Sequence, residues 1–237
     1  GIRKYFGTRV LEFLGGDQSD YHSPLISSEY SSESSIKDIW EIVNSSLPRH
    51  DIKQFIKIPE YLNDCLNPVL DIWQCKISNE AFSSILPNTW HLYLKGIPKK
   101  IKNDSRRQMR RLNEDRKVKF LIGIDNDDEY DKYLLEMFNQ KSERYKLTGA
   151  RDLFAIDEIK LFYKKLNHNF KTNGNVHLSV MLVDDIVVST HWGIIYNNRY
   201  YFLLPTYKSS NEWNKYSAGR LLQEKLLEWS INEGIKE

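Results

Sequence analysis

Hydrophobic residues alternate with a period of two between residues 176 and 207, and they occupy both faces of the segments that carry them. Asp184-Asp185 and Asn197-Asn198 divide this region into three runs, and both pairs tolerate the positive φ that a two-residue hairpin turn requires. The pattern therefore predicts three antiparallel strands. A sheet that is apolar on both faces must be covered on both faces, so helices are expected on each side.

Apolar residues at helical spacing predict the elements that cover this sheet. A strand at 118–124 precedes a helix that buries Tyr130 and Leu134, and a second helix follows at 157–174. After the three strands, a last helix begins near Ser217. The order of strand, helix, helix, three strands and helix indicates a mixed α/β (α+β) fold with a largely antiparallel sheet.

Residues 1–95 are interpreted as a separate α/β unit, and residues 96–237 as the second domain. In the first unit RVLEFLGG predicts a strand, and a helix with Ile36 and Ile39 on one side follows the serine-rich loop 27–35. Short strands are predicted in IKQFIKIP and LDIWQCKI. A further strand is expected at WHLYL, near the domain boundary.

A strongly basic helix is predicted from Pro98 to about Asp115, with Met109 and Leu112 on its narrow apolar side. Its other faces carry Lys99, Lys100, Lys102, Arg106, Arg107, Arg110 and Arg111. These charges could bind the phosphates of RNA, of a nucleotide sugar or of a lipid, or they could form a solvated face balanced by nearby acids. Aromatic residues do not interleave with them, as a platform for stacked bases would require.

Composition narrows the classes of function. The net charge of +2 predicts no polyanionic partner for the chain as a whole. Cys65 and Cys75 form no CxxC pattern, which argues against a disulfide scaffold and a zinc site, so we expect no metal and a reducing, cytoplasmic compartment. No stretch is apolar enough to predict a membrane span. Because the chain starts at Gly1, the lack of a visible signal peptide is weak evidence, and a partial chain is expected.

The stretch LPTYKSSNEWNKYSAGRLLQEKLLEW runs from a strand into a helix through small residues. The free N–H groups and the dipole at such a helix start favour an anion, often a phosphate. The alternative is an ordinary helix start that Ser217 caps.

The end of this stretch, NKYSAG, resembles the motif after the fourth strand of GNAT acyltransferases. That motif has a basic residue or Gln, two variable residues, Gly, a variable residue, and Gly or Ala. Here Asn214 and Ser217 replace the first two fixed residues, and Gly219 matches the last. The region from THWGII to KLLEW, the loop GGDQSDYHSPL, and the segments IPKKIKNDSRRQMRRLNED and SERYKLTGARDLF are similar to the CelD/BcsL-type branch of that family.

Two residues depart from that branch. Ala218 stands where the branch has Pro, and Lys208 stands where it often has Asp, which alters the charge beside the expected cleft. The resemblance implies a double fold related to the FemABX transferases, with a partial N-terminal GNAT-like half and a C-terminal GNAT half that lacks its last strands.

The resemblance also implies sites. The turn into the last helix would bind the pyrophosphate of acetyl-CoA or another acyl-CoA, and the loop after the first strand would face the acceptor. The donor-binding residues are expected to be Leu204, Thr206, Lys215, Tyr216, Ser217, Ala218, Gly219 and Arg220. The acceptor-binding residues are expected to be Asp20, Tyr21, His22, Arg106 and Arg110.

Two residues are candidates for catalysis. Counting from the hairpin turns places His191 opposite Leu178 and Leu204, with the small Ser189 and Gly193 beside it on its face. A neutral His191 could accept the proton of an attacking amine or hydroxyl, or it could be a buried histidine of the core. Tyr207 could donate to a leaving thiolate or line the acceptor pocket, or it could simply pack as a loop aromatic.

Three functions follow from these patterns. The first is acyl-CoA-dependent N- or O-acyl transfer to an amino sugar or a polysaccharide or cell-envelope precursor. The second keeps the fold but takes the acyl group from aminoacyl-tRNA, as FemX-type relatives do, with the basic helix holding the tRNA. The third is a catalytically inactive GNAT-like module that binds a glycan or another partner.

Overall fold

The computed structural model describes residues 1–27, 33–62, 65–73, 76, 80–170 and 174–237, which form two compact units. The first unit is Gly1–Phe82 and the second is Ser83–Glu237. The sequence-based boundary at residue 95 falls later in the chain. Most of the serine-rich loop, residues 28–32, and Cys75 lie outside the described residues.

The first unit is built on short strands and one helix. Its elements are β1 (Ile2–Tyr5), β2 (Thr8–Leu11), α1 (Glu33–Ser46), β3 (Ile52–Lys53), β4 (Tyr61–Leu62) and β5 (Cys65–Leu66). The strand β2 pairs antiparallel with β1 and parallel with β3, and β4 pairs antiparallel with β5. The strands predicted in RVLEFLGG and IKQFIKIP are therefore present, each shorter than its sequence pattern.

The described part of LDIWQCKI is not a strand, contrary to the sequence-based prediction. Pro68–Asp71 is a 3₁₀ turn, because Pro68 stands at its start and the Asn67 side chain accepts a hydrogen bond from the N–H of Val69 at 3.3 Å. The stretch also includes residues 74–75 and 77, which lie outside the described residues.

The second unit is larger, and helices alternate with one sheet. Its elements are α2 (Trp90–Gly96), α3 (Lys99–Asp115), β6 (Val118–Ile122), α4 (Asp127–Thr148), α5 (Asp157–Phe170), β7 (Val176–Val183), β8 (Ile186–Tyr196), β9 (Arg199–Tyr207), α6 (Asn211–Asn214) and α7 (Ala218–Asn232). The sheet has the order β6-β7-β8-β9, with every neighbouring pair antiparallel. The predicted mixed fold with an antiparallel sheet is confirmed.

Both predicted hairpin turns are present. Asp184 and Asp185 have φ of 50° and 62°, and Asn197 and Asn198 have φ of 48° and 62°. These left-handed conformations match the twist of the strands they join, and aspartate and asparagine tolerate them better than most residues. Both turns therefore lie at the positions that the residue types alone predicted.

Hydrophobic cores cover the sheet on both faces, as the double-sided pattern predicted. On one face Leu178 and Val180 of β7 pack with Leu134, Met137 and other residues of α4 and α5. On the other face the core contains Leu112 of α3, Met181 and Val183 of β7, and Leu221, Leu222 and Leu226 of α7. Alternate residues of one strand thus stabilise opposite layers.

Residues 90–96 form the helix α2 and not the predicted strand. The Thr89 hydroxyl accepts a hydrogen bond from the N–H of Leu92 at 3.3 Å, which caps the helix start. The Trp90 and Tyr93 rings stack with their centroids 4.9 Å apart, and they pack against a small core that includes Ile231 and other residues of α7. This packing attaches α2 to the second unit.

Two β-bulges shift the register around His191. Val188 is an extra residue of β8 opposite β7, and Leu203 is an extra residue of β9 opposite β8. His191 therefore pairs with Ser179 and Pro205, each one residue beyond the partner obtained by counting from the turns. The predicted partners Leu178 and Leu204 are wrong, because counting assumes an unbroken ladder.

The Tyr130→Phe substitution should lower the stability of the second unit. The Trp192 Nε1–H donates to the Tyr130 hydroxyl at 2.9 Å, and both side chains are buried. Removing the acceptor leaves a buried donor unpaired, which costs about 1–3 kcal/mol. Chemical denaturation measures the loss. Tyr133→Phe is the matched control, since Tyr133 is buried on the same helix without a recorded hydroxyl partner among the described residues, and equal stability of the two variants would contradict the expectation.

Candidate functional site

An open cleft of about 480 Å³ lies at the start of α7, beside the end of β9 and the last turns of α4. Its lining residues are Arg144, Leu147, Tyr207, Lys208, Ser209, Trp213, Asn214, Ser217, Ala218, Gly219 and Arg220. Three of these described lining residues are cationic and none is acidic. The cleft therefore favours an anionic ligand.

The helix start adds to this positive potential. The N–H groups in the first turn of a helix have no acceptor within the helix, and the helix dipole places partial positive charge there. The Ser217 side chain makes no capping hydrogen bond. The first-turn N–H groups of Ala218 and Gly219 are thus not capped by the Ser217 side chain.

The backbone conformation of Ser217 explains why its hydroxyl does not cap the helix. Its φ of 54° and ψ of 45° are left-handed, whereas a capping residue usually has extended backbone angles. The predicted alternative, an ordinary start capped by Ser217, is therefore wrong. Left-handed geometry favours glycine, the residue that the resembling motif has at this position.

Tyr207 closes one side of the helix start. A Cβ at Gly219 would lie 3.4 Å from Cδ1 of Tyr207, so the small residue permits this close approach. The Arg144 guanidinium lies 5.9 Å from the Tyr207 ring centroid, within cation–π distance. This contact between Arg144 and Tyr207 places the last turns of α4 beside the cleft.

Arg220 is held by an ion pair with Asp104 of α3. Hydrogen bonds from Arg220, and then from Arg107, keep the pKa of Asp104 below its usual range. The Ser105 hydroxyl also donates to Glu224 of α7. These contacts attach α3 to α7 and orient Arg220 at the cleft before any ligand arrives.

Five predicted site residues meet at the cleft, namely Tyr207, Ser217, Ala218, Gly219 and Arg220. Four predicted donor-binding residues are not among its lining. Leu204 packs against the core on the α4 side, and the buried Thr206 accepts a hydrogen bond at its carbonyl from Ser189 at 2.9 Å. Lys215 lies over the ring of Tyr216, with Nζ 4.9 Å from the centroid.

His191 lies outside the cleft lining, in a buried polar cluster. Its Nδ1 is 2.9 Å from the Tyr200 hydroxyl, which is 3.0 Å from Nδ1 of His177. Phe202 stacks on the His191 ring at 3.9 Å, and only 1% of His191 is exposed. A Cβ at Gly193 would lie 2.9 Å from Cε1 of His191, so the glycine makes room for the ring.

Burial keeps both histidines of this cluster neutral. It lowers the pKa of His177 to about 4. It also lowers the pKa of His191 well below its usual value, with further contributions from the positive forms of His177 and Lys141. The pKa of Tyr200 is raised well above its usual value by the same burial. All three side chains are therefore uncharged at neutral pH.

The residues predicted to bind the acceptor lie on different elements. In the first unit His22 is buried, and its Nδ1 is 3.0 Å from the Ile56 carbonyl, while Tyr21 and Asp20 are exposed. In the second unit Arg106 is exposed on α3, and Arg110 forms an ion pair with Glu114 at 3.7 Å.

The sequence did not identify six residues of the cleft, which are Arg144, Leu147, Lys208, Ser209, Trp213 and Asn214. Arg144 and Leu147 stand on the exposed side of a long helix, and no sequence signal shows which sheet edge that helix crosses. Asn214 departs from the resembling motif and Lys208 from the resembling branch, but neither departure assigns its residue to the site.

No cluster of His, Cys, Asp and Glu side chains that could hold a metal ion occurs within the described ranges. In the same residues, no helix combines the length and the apolar character needed to cross a bilayer.

Comparison with known families identifies a matching family. A sequence model described as an acetyltransferase (GNAT) domain matches residues 99–237, which include α3 and the whole four-stranded sheet. No curated protein matches the chain.

The Ser217→Gly substitution should stabilise the protein modestly. Relief of a left-handed residue is worth about 1–2 kcal/mol, and the added freedom of glycine in the unfolded chain cancels about 0.4–1 kcal/mol of it. We expect a net gain of about 0.5–1 kcal/mol in chemical denaturation. Ser210→Gly is the control, because Ser210 is extended with φ of −153° and should gain nothing. A loss of stability in Ser217→Gly would show that the serine makes a compensating contact.

Proposed function

Because this chain belongs to the family of GNAT acetyltransferases, we propose that it transfers an acyl group from an acyl-CoA to the amino or hydroxyl group of a sugar-containing acceptor. The choice of acceptor, an amino sugar or a polysaccharide or cell-envelope precursor, is supported by the resemblance to the CelD/BcsL-type branch. The choice of acyl-CoA is supported by the family and by the cleft at the start of α7.

One observation carries the proposal. The uncapped N–H groups of Ala218 and Gly219 face a cleft that Arg144, Lys208 and Arg220 surround with positive charge. A pyrophosphate presents several acceptor oxygens and negative charges, and it needs this combination of backbone donors and cations. We assign the pyrophosphate of the donor to this place.

The protein contributes to this reaction mainly by aligning donor and acceptor, and not by forming a covalent bond with either. The acceptor nitrogen or oxygen attacks the thioester carbonyl carbon, the carbon–sulfur bond breaks, and the thiolate leaves and takes up a proton. Holding donor and acceptor together makes this step effectively unimolecular. Tyr207, which lines the cleft and is partly exposed, is proposed as the proton donor to the thiolate.

His191 is proposed to accept the proton that the acceptor loses. It pairs with Pro205, and Tyr207 stands two residues further along β9, so His191 and Tyr207 share one face of the sheet. Such diagonal neighbours on adjacent strands are about 7–8 Å apart. A low pKa keeps the imidazole unprotonated, which is the form that can accept a proton, but it weakens the ring as a base. Proton transfer to this weak base therefore requires that the lone pair of the imidazole be oriented toward the proton of the acceptor.

The Gly219→Val substitution should weaken acetyl-CoA binding at least about tenfold, or about 1.4 kcal/mol. A branched side chain would occupy the space between the helix start and Tyr207, where a Cβ already reaches 3.4 Å. Isothermal titration calorimetry measures the affinity. Gly219→Ala is the matched control, because one methyl group fits at that distance. Equal affinity of the valine variant and the wild type would place the donor elsewhere.

A second candidate function uses aminoacyl-tRNA as the donor. Its support is the run of exposed cations on α3, where Arg106 and Arg111 have no ion-pair partner among the described residues. Phosphate contacts by these side chains would release counterions, so tRNA binding would depend steeply on salt.

Neutralising four arginines of α3 separates the two donors. Changing Arg106, Arg107, Arg110 and Arg111 to Gln should leave acetyl-CoA affinity within about twofold, because none of them lines the cleft. Filter binding of charged tRNA should show no specific affinity in the wild type. If the tRNA donor is correct, the wild type binds and the variant loses about one unit of salt slope per lost contact.

A control variant removes the same amount of charge elsewhere. It changes four exposed lysines of α4 and α5, namely Lys132, Lys146, Lys164 and Lys165, to Gln. If neither acetyl-CoA nor tRNA binds the wild type, the third candidate, an inactive binding module, replaces both.

A further inference from the structure

The short helix α6 forms part of the wall of the cleft. Its residues Trp213 and Asn214 line the cleft beside the turn into α7. A helix of 4 residues is not stable by itself in water, and the Ser210 side chain makes no hydrogen bond that would cap its start. The position of α6 must therefore be set by contacts with the rest of the second unit.

Arg116, the residue that follows α3, makes three contacts that link α6 to the sheet. Its Nη2 donates to Oε1 of Glu212 at 2.8 Å, and its guanidinium carbon lies 5.0 Å from the centroid of the Trp213 ring. Its Nη1 lies 3.7 Å from Oδ2 of Asp184, in the turn between β7 and β8. Because Arg116 is not among the described residues that line the cleft, it can act on the cleft only through α6.

Asp184 gives Arg116 a fixed support. The Asp184 Oδ1 accepts a hydrogen bond from the N–H of Lys117 at 2.8 Å, and the Asp184 N–H donates to the Lys117 carbonyl at 2.9 Å. These two hydrogen bonds attach the segment that carries Arg116 to the β7–β8 turn. The contacts of the guanidinium therefore fix α6 relative to the sheet.

Trp213 transmits this restraint to the turn into α7. Its side chain is buried and packs in the same core as Ala218 and Leu221 of α7. Its carbonyl accepts a hydrogen bond from the N–H of Tyr216 at 3.0 Å, and Tyr216 directly precedes the left-handed Ser217. A shift of α6 would therefore displace the wall of the cleft and the residues that lead into the uncapped helix start.

We propose that Arg116 is a positioning residue for the acyl-CoA donor, which holds α6 where Trp213 and Asn214 contact the bound donor. This inference rests on the proposed function. Arginine suits the role because its planar guanidinium can bond to two carboxylates while it lies over an aromatic ring. A lysine ammonium is a single point charge and cannot make the three contacts together.

Isothermal titration calorimetry of the full chain with acetyl-CoA tests the inference. Without the guanidinium, α6 should occupy its binding position for a smaller fraction of the time, and the apparent affinity falls with that fraction. We expect Arg116→Gln to weaken acetyl-CoA binding about threefold to tenfold. Arg116→Lys should recover only part of this loss. Unchanged affinity in Arg116→Gln, or full recovery in Arg116→Lys, would contradict the inference.

Arg199→Gln is the matched control. Arg199 also combines an ion pair, with Glu237, and a cation–π contact, with its guanidinium carbon 5.8 Å from the Tyr201 ring centroid. It lies at the opposite end of β9 from Tyr207, which lines the cleft. This variant should keep the wild-type affinity for acetyl-CoA. Equal losses of affinity in Arg199→Gln and Arg116→Gln would assign the effect to general destabilisation and overturn the positioning role.

Amide hydrogen exchange reads the restraint on α6 without a ligand. The N–H groups of Trp213 and Asn214 donate to the Ser210 carbonyl at 3.1 and 2.9 Å. Local opening of α6 breaks the contacts of Arg116 but not those of Arg199, so exchange at these two amides should accelerate about threefold to tenfold in Arg116→Gln alone. Unchanged exchange in Arg116→Gln, or equal acceleration in both variants, would show that Arg116 does not hold α6.

The two measurements separate this inference from the proposed function. If the wild type does not bind acetyl-CoA, the donor assignment fails, and hydrogen exchange alone decides whether Arg116 holds α6. If the wild type and Arg116→Gln bind acetyl-CoA equally well, the positioning role fails and the acyltransferase proposal stands.

Discussion

Burial of β7 and β8 on both faces is the constraint on which the second unit depends. Leu178 and Val180 point to the layer of α4 and α5, and Met181 points to the layer of α3 and α7. Each strand would otherwise expose an apolar stripe, which costs about 25 cal/mol per Å². Because α7 must cover the sheet that β9 has just completed, its first turn lies beside the end of β9, where the cleft is found.

The turn into α7 combines a strained residue with an open helix start. Ser217 accepts left-handed angles, and its side chain is consequently not placed to cap the first turn. Trp213 is buried and Arg116 lies over its ring at 5.0 Å, which fixes the preceding segment. The fold thus tolerates a local cost of the kind often found at ligand sites, and the uncapped N–H groups are its result.

The elements of the fold were predictable where a local rule decides the outcome. The two hairpin turns and the double-sided strands followed from residue type and period. The helix α2 was missed because the Thr89 cap outweighed an apolar run, and the register of His191 was missed because the bulges at Val188 and Leu203 leave no sequence signal. Of the cleft, the segment 217–220 was predicted from one continuous stretch, whereas Arg144 reaches it only through the packing of a distant helix.

The polar cluster around His191 is unusual in its surroundings. The face of the sheet that α7 covers carries the apolar core of Met181 and Val183, yet His177, Ser179, Tyr200 and His191 lie together on it. Nε2 of each histidine is buried without a partner among the described residues, and an unsatisfied buried donor or acceptor costs about 1–3 kcal/mol. Apolar side chains of similar size would avoid that cost. Stability alone therefore does not account for the cluster, which is consistent with the role in proton transfer that we propose for His191.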